Sequence, residues 1–431
     1  MSSEAHTAPV FGLLGRTLGH SYSPRIHAEL GSYDYRLFEK EPEEVAEFLQ
    51  SGEFAGINVT IPYKETVMPL CHELSDAARR IGCVNTVVRR EDGTLYGHNT
   101  DYDGFAYLLK QSGISVQDRK VLVLGTGGAS KTACAVLEDL GAAEIVAISR
   151  KGPNTYDNLE KHNDAHVIVN TTPVGMYPQC PASPLDLEPF ARTGELREGR
   201  ADGLFGVVDV VYNPSRTGLM LQAEKLGVPH ISGLPMLVAQ AKAASELFQG
   251  VSIADSVMEG ITQRIAADSL NIVLIGMPSG GKSTIGALLA ERLGRTFVDV
   301  DQHIPEAAGK PIPDIFAQDG EEAFRAIETQ VTGDICKKSS QVIACGGGVV
   351  TRARNYDLLH QNGVIVLLKR PLDMLETDGR PMSQQKGVAR LARERGHIYD
   401  AWADVAITND ATAEEAVQRI LQALATTDLT Q

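Results

Sequence analysis

Two glycine-rich turns of different kinds, each directly after a short apolar run, constrain this chain more than any other feature of its sequence. The first, Val121-Leu-Val-Leu-Gly125-Thr-Gly127-Gly128-Ala129-Ser130, has the outline of a dinucleotide loop. The second, Ile272-Val-Leu-Ile-Gly276-Met-Pro-Ser279-Gly280-Gly281-Lys282-Ser283-Thr284, is a complete Walker A sequence. A buried strand that turns through such a loop into a helix aims backbone N–H groups at phosphate, and it belongs in a parallel α/β sheet. A nicotinamide dinucleotide and a nucleoside triphosphate need different sites, so the chain is expected to hold two.

The rest of the sequence gives those sites room. At 431 residues it is long enough for two or three domains with separate cores. Apolar runs alternate with helix-length segments. Strands are expected at 10–14, 56–61, 121–124, 145–148, 167–170 and 207–212, then at 272–275, 296–300, 341–344, 364–368 and 405–407. Helices are expected near 234–248 and 253–267, and the domain boundary at about 268–270. A last amphipathic helix begins at a capping box formed by Thr412 and Glu415. No apolar run approaches the roughly 20 residues that span a bilayer. The first residues lack the basic and apolar regions of a signal peptide. Cys71, Cys83, Cys134, Cys180, Cys336 and Cys345 are scattered without Cys-x-x-Cys spacing, so reduced thiols and a cytoplasmic location are expected. A net charge of -15 argues against a nucleic-acid surface. It leaves room for small anions, which a few placed cations can hold. No sequence feature assigns an oligomeric state.

In the second half the Walker loop has a mechanical reading. Gly276, Ser279, Gly280 and Gly281 bring backbone N–H groups onto phosphate, Lys282 spans the β and γ phosphates, Ser283 ligates magnesium and Thr284 opens the helix. Asp299 and Asp301 follow, two residues apart and expected on one face of a strand end. One carboxylate can support the magnesium shell and the other can take the proton of an attacking hydroxyl. Taken alone, Asp-x-Asp is usually a solvated turn. Gly320-Glu-Glu-Ala-Phe-Arg325-Ala-Ile-Glu328 and Cys345-Gly346-Gly347-Gly348 then offer a cation and bare backbone for a small ligand. Arg380-Pro381 and Leu391-x-x-x-Arg395-x-x-x-Tyr399 lie in an arginine-rich stretch suited to a lid.

Taken in order, these motifs resemble the shikimate kinase family over about 271–425. The resemblance implies a P-loop domain with a parallel sheet, here 270–431, that binds ATP with Mg2+ and phosphorylates shikimate. It implies that Asp301 orients and deprotonates the acceptor hydroxyl and that Arg325 and Arg395 grip the carboxylate. Gly346, Gly347 and Gly348 would line the pocket, Arg380 would close on the phosphates, and Ser283 with Asp299 would hold magnesium. The segment 374–380 is compressed beside family lids and lacks the earlier arginine that stacks on adenine.

In the first half Ser130 stands where the dinucleotide pattern has its third glycine. A second strand ends in Ser149-Arg150-Lys151, where an NAD enzyme would offer an acid to the ribose hydroxyls; basic residues there favour a 2′-phosphate and hence NADP(H). Ser21 and Ser23, in Gly19-His20-Ser21-Tyr22-Ser23-Pro24, present two hydroxyls to a carboxylate. Lys64 lies just beyond a strand end and Asp101 closes His98-Asn-Thr-Asp101. A Lys–Asp pair in a closed cleft is what carbonyl reduction needs, a proton donor and a partner that tunes it.

These segments resemble the shikimate dehydrogenase family over about 10–265. The resemblance implies a discontinuous α/β substrate domain (1–100 plus 235–268) around a Rossmann-like cofactor domain (101–234). Lys64 and Asp101 would handle the proton while 3-dehydroshikimate is reduced, and Ser21 and Ser23 would bind the carboxylate. Thr60, Asn85 and Gln240 would bind ring hydroxyls, and Tyr212 would border nicotinamide and substrate. Gly125, Gly127, Gly128 and Ala129, with Ser149, Arg150 and Lys151, would hold the cofactor. The span from Lys151 to Ala165 is short for this family and is expected to be an abbreviated crossover. The two resemblances together imply a bifunctional shikimate-pathway enzyme, whose partners are the small acids 3-dehydroshikimate and shikimate. Two alternatives stand beside it: a quinate-type dehydrogenase fused to a related P-loop sugar kinase, and a metabolite-sensing regulator built from inactive copies. An inactive copy should have lost catalytic groups, yet Lys64, Asp101, Lys282, Ser283 and Asp301 are all present.

Overall fold

Each apolar run named above forms a strand, with small shifts at the ends. The computed structural model describes residues 9–19, 21–191, 203–375 and 387–427. Contacts divide the chain into two units. The first comprises Met1–Pro173, Pro184–Tyr212 and Gln222–Arg264; the second comprises Val174–Ser183, Asn213–Leu221 and Ile265–Gln431.

The first unit contains two sheets. One is built from β1 (Val10–Gly15), β2 (Asp34–Glu39), β3 (Gly56–Val59), β4 (Glu73–Leu74), β5 (Thr86–Arg89) and β6 (Leu95–His98), in the order β2-β1-β3-β5-β6-β4. It is mixed, because β5 runs antiparallel to both β3 and β6. The sequence reading missed β2, and its position explains why. It is an edge strand made only of exposed and half-buried residues, so it has no continuous apolar run. The other sheet holds β7 (Lys120–Leu124), β8 (Glu144–Ile148), β9 (Val167–Asn170), β10 (Gly206–Asp209) and β11 (His230–Ile231), parallel throughout in the order β11-β10-β9-β7-β8. Its middle strands are buried along their length, which is why they read as unbroken apolar runs.

Four helices position the first unit's site: α1 (Ser23–Leu30), α2 (Asp101–Ser112), α3 (Gly128–Asp139) and α4 (Leu234–Gln249). The crossover from β8 to β9 is abbreviated as expected. A 3-10 run, Tyr156–His162, takes the place of an α-helix, and Asn158 Oδ1 accepts the Thr155 N–H at 2.9 Å to start it.

The second unit's sheet is parallel, in the order β13-β14-β12-β15-β16, with β12 Asn271–Ile275, β13 Thr296–Asp299, β14 Gln341–Ala344, β15 Gly363–Lys369 and β16 Val405–Thr408. Its helices include α5 (Lys282–Leu293), α6 (Val300–Ala308), α7 (Gly320–Cys336), α8 (Val388–Trp402) and α9 (Ala413–Thr426). Apolar clusters cover both faces of this sheet. One boundary differs from the sequence reading. The β13 strand stops at Asp299 and Asp301 is already helical, because Asp299 Oδ1 accepts the Asp301 N–H at 3.1 Å and caps α6. Asp299 and Asp301 therefore do not share a strand face. At the far end Thr412 Oγ caps α9 through the Glu415 N–H at 3.2 Å. Among the described residues no helix is long and apolar enough to cross a membrane.

Candidate functional site

In the first unit the loops at one end of the mixed sheet carry the predicted polar groups. Lys64 follows β3 and Asp101 opens α2, and Lys64 Nζ lies 2.5 Å from Asp101 Oδ2. Both side chains are mostly buried, at 23% and 12% exposure, so the pair is only weakly screened by solvent. Backbone geometry fixes it from both sides. Lys64 O accepts the Val84 N–H at 2.8 Å, and Asn85 Oδ1 accepts the Thr100 N–H at 2.6 Å just ahead of Asp101. With Asn85 Oδ1 occupied, its Nδ2 is the end that can meet a ligand hydroxyl. Gln240 Nε2 donates to Leu237 O at 2.9 Å, which leaves Oε1 as its presenting end. Gln240 sits on α4 against Gly104 of α2, one turn beyond Asp101, where a Cβ on Gly104 would fall 3.0 Å from Gln240 Cβ. Thr60 is held by its N–H to Leu14 O at 2.9 Å. Ser21 Oγ accepts the Ser23 N–H at 3.2 Å, which places the two hydroxyls together at the start of α1. Tyr212 packs its ring 5.8 Å from that of Tyr22.

The dinucleotide loop reaches this cleft. A Cβ on Gly128 would lie 3.8 Å from the Sγ of Cys83, a thiol close enough to Lys64 and Asp101 to feel both charges. Burial pushes that thiol up from its usual range. Lys131 on α3 pairs with Glu65, next to Lys64, at 2.6 Å. The loop itself fits a dinucleotide. Gly127 has open space where a side chain would be, and with Gly128 and Ala129 it exposes the N-terminus of α3. Ser130, in place of the third glycine, is buried and donates to Gly125 O at 2.8 Å, so it closes the turn from inside. Gly125 N–H donates to Ile148 O at 2.8 Å, which sets the loop beside the Ser149-Arg150-Lys151 turn. Ser149 Oγ is bound to Lys151 O, while Arg150 and Lys151 reach solvent. Serine there shapes the turn, and both cations are exposed beside it.

In the second unit the Walker loop takes its expected form. Gly276 (φ +141°) and Gly281 (φ +85°) occupy backbone regions that favour glycine, and even Ser279 is left-handed at φ +62°. Lys282 Nζ donates to Gly276 O at 3.0 Å and Met277 O at 2.9 Å, so its charge sits inside the loop. Ser283 Oγ donates to Asp299 Oδ2 at 2.6 Å. A hydroxyl and one carboxylate beside a phosphate loop suit magnesium, which takes most of its oxygen ligands from phosphate and water. Among the described residues no cluster of three or more His, Cys, Asp or Glu is placed to hold a metal ion. A cleft of about 290 Å³ runs from Ser279–Thr284 past Asp299 and Asp301 to Cys345–Gly347.

Two arginines lie against the glycine loop that ends the cleft. Arg325 is buried and its Nη1 donates to Glu328 Oε2 at 2.6 Å; Arg395 Nη1 donates to Gly347 O at 2.8 Å, and Tyr399 binds the same carbonyl. The glycines allow these approaches. A Cβ on Gly346 would lie 2.6 Å from Asp301 Oδ1 and 3.0 Å from Glu328 Oε1, and one on Gly348 would run into the Arg325 guanidinium. Glu328 was quoted in the sequence but assigned no role. Its carboxyl is pushed above the usual range by burial, opposed by Arg325, and it holds Arg325 in place. An Arg-x-x-Glu spacing on one helix face was the available signal. Arg380 lies outside the described residues.

Comparison with known proteins places both halves. Residues 13–87 match the family model described as the shikimate dehydrogenase substrate binding domain, and residues 278–425 match the one described as shikimate kinase. The chain is 34% identical over 273 residues to shikimate dehydrogenase (NADP(+)) of Clostridium beijerinckii, which is 58% of this chain and 96% of that protein. Among solved structures, a chorismate mutase/shikimate 5-dehydrogenase fusion protein from Clostridium acetobutylicum matches 60% of this chain and 97% of its own at 34% identity, with a TM-score of 0.55. A shikimate 5-dehydrogenase from Thermus thermophilus in complex with NADP(H) and shikimate matches 59% of this chain and 99% of its own at 33% identity, with a TM-score of 0.52. The chain therefore belongs to the shikimate dehydrogenase family and carries in the same polypeptide a second segment that matches the shikimate kinase family.

Proposed function

We propose that this chain reduces 3-dehydroshikimate to shikimate with NADPH in its first unit and phosphorylates shikimate with ATP and Mg2+ in its second. The observation that carries the reading is the Lys64–Asp101 pair, 2.5 Å apart and mostly shielded, in the cleft that the dinucleotide loop reaches. The nicotinamide, when bound, supplies hydride to the C3 carbon. Lys64 holds the proton that the carbonyl oxygen takes up, and Asp101 orients that ammonium and offsets its charge. Ser21 and Ser23 bind the carboxylate, Thr60, Asn85 and Gln240 set the ring hydroxyls, and Tyr212 borders the reacting face. Gly125–Ala129 carry the pyrophosphate, with Arg150 and Lys151 on the 2′-phosphate.

In the second unit Arg325 and Arg395 grip the shikimate carboxylate, with Glu328 holding Arg325 in place. Asp301 orients the 3-hydroxyl and takes its proton. Gly276 and Ser279–Thr284 would cradle the triphosphate, and Lys282 would span its β and γ phosphates. Ser283 and Asp299 would hold magnesium, which neutralises charge on the phosphates when bound. We place the enzyme in the cytoplasm, since its six cysteines are free thiols and its substrates are small metabolites. Its net negative charge leaves nucleic acid outside the reading.

One assay tests both halves. Supplied with 3-dehydroshikimate, NADPH, ATP and Mg2+, the purified chain should consume NADPH and form ADP, and ADP should require prior reduction. NADPH loss without ADP would refute the kinase half, and no NADPH loss would refute the dehydrogenase half.

A further inference from the structure

We infer that Tyr35 is a positioning residue of the dehydrogenase cleft, joining its carboxylate end to its ring-hydroxyl end through one phenol. The inference rests on the reading of that cleft as the shikimate site. Tyr35 lies on the edge strand β2, in no recognised motif. Its hydroxyl donates to Asn58 Oδ1 at 2.8 Å and lies near enough to the Ser23 side chain for that hydroxyl to act on it. Ser23 is one of the two serines at the carboxylate end. Asn58 sits on β3, two residues before Thr60.

The bonds run on from there. With its oxygen engaged, Asn58 turns Nδ2 to Thr86 Oγ1 at 3.1 Å. Thr86 Oγ1 lies 3.1 Å from Thr100 Oγ1 and 3.2 Å from Asn85 Oδ1, and Thr100 directly precedes Asp101. Every member from Ser23 to Thr100 is buried, except that Tyr35 is half-buried. In such surroundings each bond fixes the orientation of the next group, and a hydroxyl rotor left alone would sample several orientations. The Tyr35 ring is fixed independently of its hydroxyl. It stacks on His27, centroids 4.0 Å apart and 11° from parallel, and His27 Nδ1 is held by Tyr33 Oη at 2.6 Å. Removing only the hydroxyl therefore frees Ser23 and leaves Asn58 Oδ1 without its donor while the ring stays in place.

Two functions can be separated for the hydroxyl. If it only fills a polar gap in the sheet, its loss lowers stability and depresses all kinetic constants together. If it orients Ser23 toward a carboxylate, the loss falls on substrates that carry one. The test is Tyr35→Phe, assayed in the oxidative direction with shikimate and with shikimate methyl ester, each with NADP+. We expect the KM for shikimate to rise about tenfold, with kcat and the KM for NADP+ within about twofold. The constants for the methyl ester should move by less than twofold. In a Ser23→Ala background Tyr35→Phe should add less than twofold to the shikimate KM, because the two act as one unit. Parallel changes with both substrates, or multiplying effects in the double variant, would overturn the inference. Should Tyr35→Phe fold poorly, the ratio of the shikimate KM to the methyl ester KM is read on its folded fraction, since a loss of folded enzyme leaves that ratio unchanged, and it should still rise about tenfold. Wild-type turnover is measured first. Its absence refutes the shikimate reading, whereas wild-type turnover with an unaltered variant refutes this inference alone.

Discussion

His27 is the residue whose protonation this fold most strongly opposes. Burial lowers its pKa from 6.5 to about 3, against a partial offset from Asn58, and the rings of Tyr33, Tyr35 and Phe248 surround it. Tyr33 donates its own proton to Ser245 Oγ at 2.8 Å, so it accepts from His27 and the neutral ring keeps its proton on Nδ1. The sign follows from linkage. Below about pH 6.5 the unfolded chain binds a proton that the folded chain refuses, so His27 withdraws stability as pH falls and the loss levels off near pH 3. At pH 5 that loss is about 2 kcal/mol. Hydrogen exchange of the α1 amides in urea, at pH 7.5 and 5.0, should show it, and His27→Gln should reduce the difference by about the same amount. An undiminished pH dependence in the variant would assign the effect to other groups.

Between β14 and Arg354 the loop Gly346–Gly348 acts as an element with no side chain of its own. Its role is to let Asp301, Glu328 and Arg325 close on one small volume. Gly346→Ala should drive Asp301 out of line, since its Cβ would meet Oδ1 at 2.6 Å. Kinase kcat/KM should fall at least tenfold while NADPH-linked reduction is unchanged; an unaltered kinase would show that Asp301 has room to move and does not act from its present position. This loop also shows what the sequence could reveal. Glycine spacing encodes backbone geometry directly, so the Walker loop, the dinucleotide loop and Gly346–Gly348 were legible, as were the strands buried on both faces. Side chains that meet only through tertiary structure were less so. Tyr35 and Asn58 lie 23 residues apart on neighbouring strands of a sheet whose edge had no apolar signature. Asp301 was found by spacing but placed on a strand, because nothing in Asp-x-Asp announces that Asp299 will cap the next helix. Ser130 departs from the dinucleotide pattern in sequence, but its bond to Gly125 O closes the same turn, which spacing alone does not reveal.

At the scale of the whole molecule the question is whether two activities in one chain depend on each other. Each set of groups derived above lies within its own unit, and no residue is shared between the two chemistries. Lys64→Ala removes the proposed proton donor and should cost the reductase about 10²- to 10⁴-fold in kcat while sparing the kinase. Lys282→Ala removes a charge from the phosphate loop and should cost the kinase about 10²- to 10³-fold while sparing the reductase. The pair of variants then supplies a control that separated halves would not, since both are full-length chains. Turnover for an ordinary enzyme is on the order of 10 s⁻¹, which leaves a small acid ample time to diffuse into solution before the second site acts. An equimolar mixture of the two variants should therefore accumulate as much free shikimate, from 3-dehydroshikimate with NADPH and ATP, as wild type at half the total chain concentration. Lower accumulation by wild type would mean that the product passes between sites without mixing, and fusion would then do more than keep the two activities in equal number.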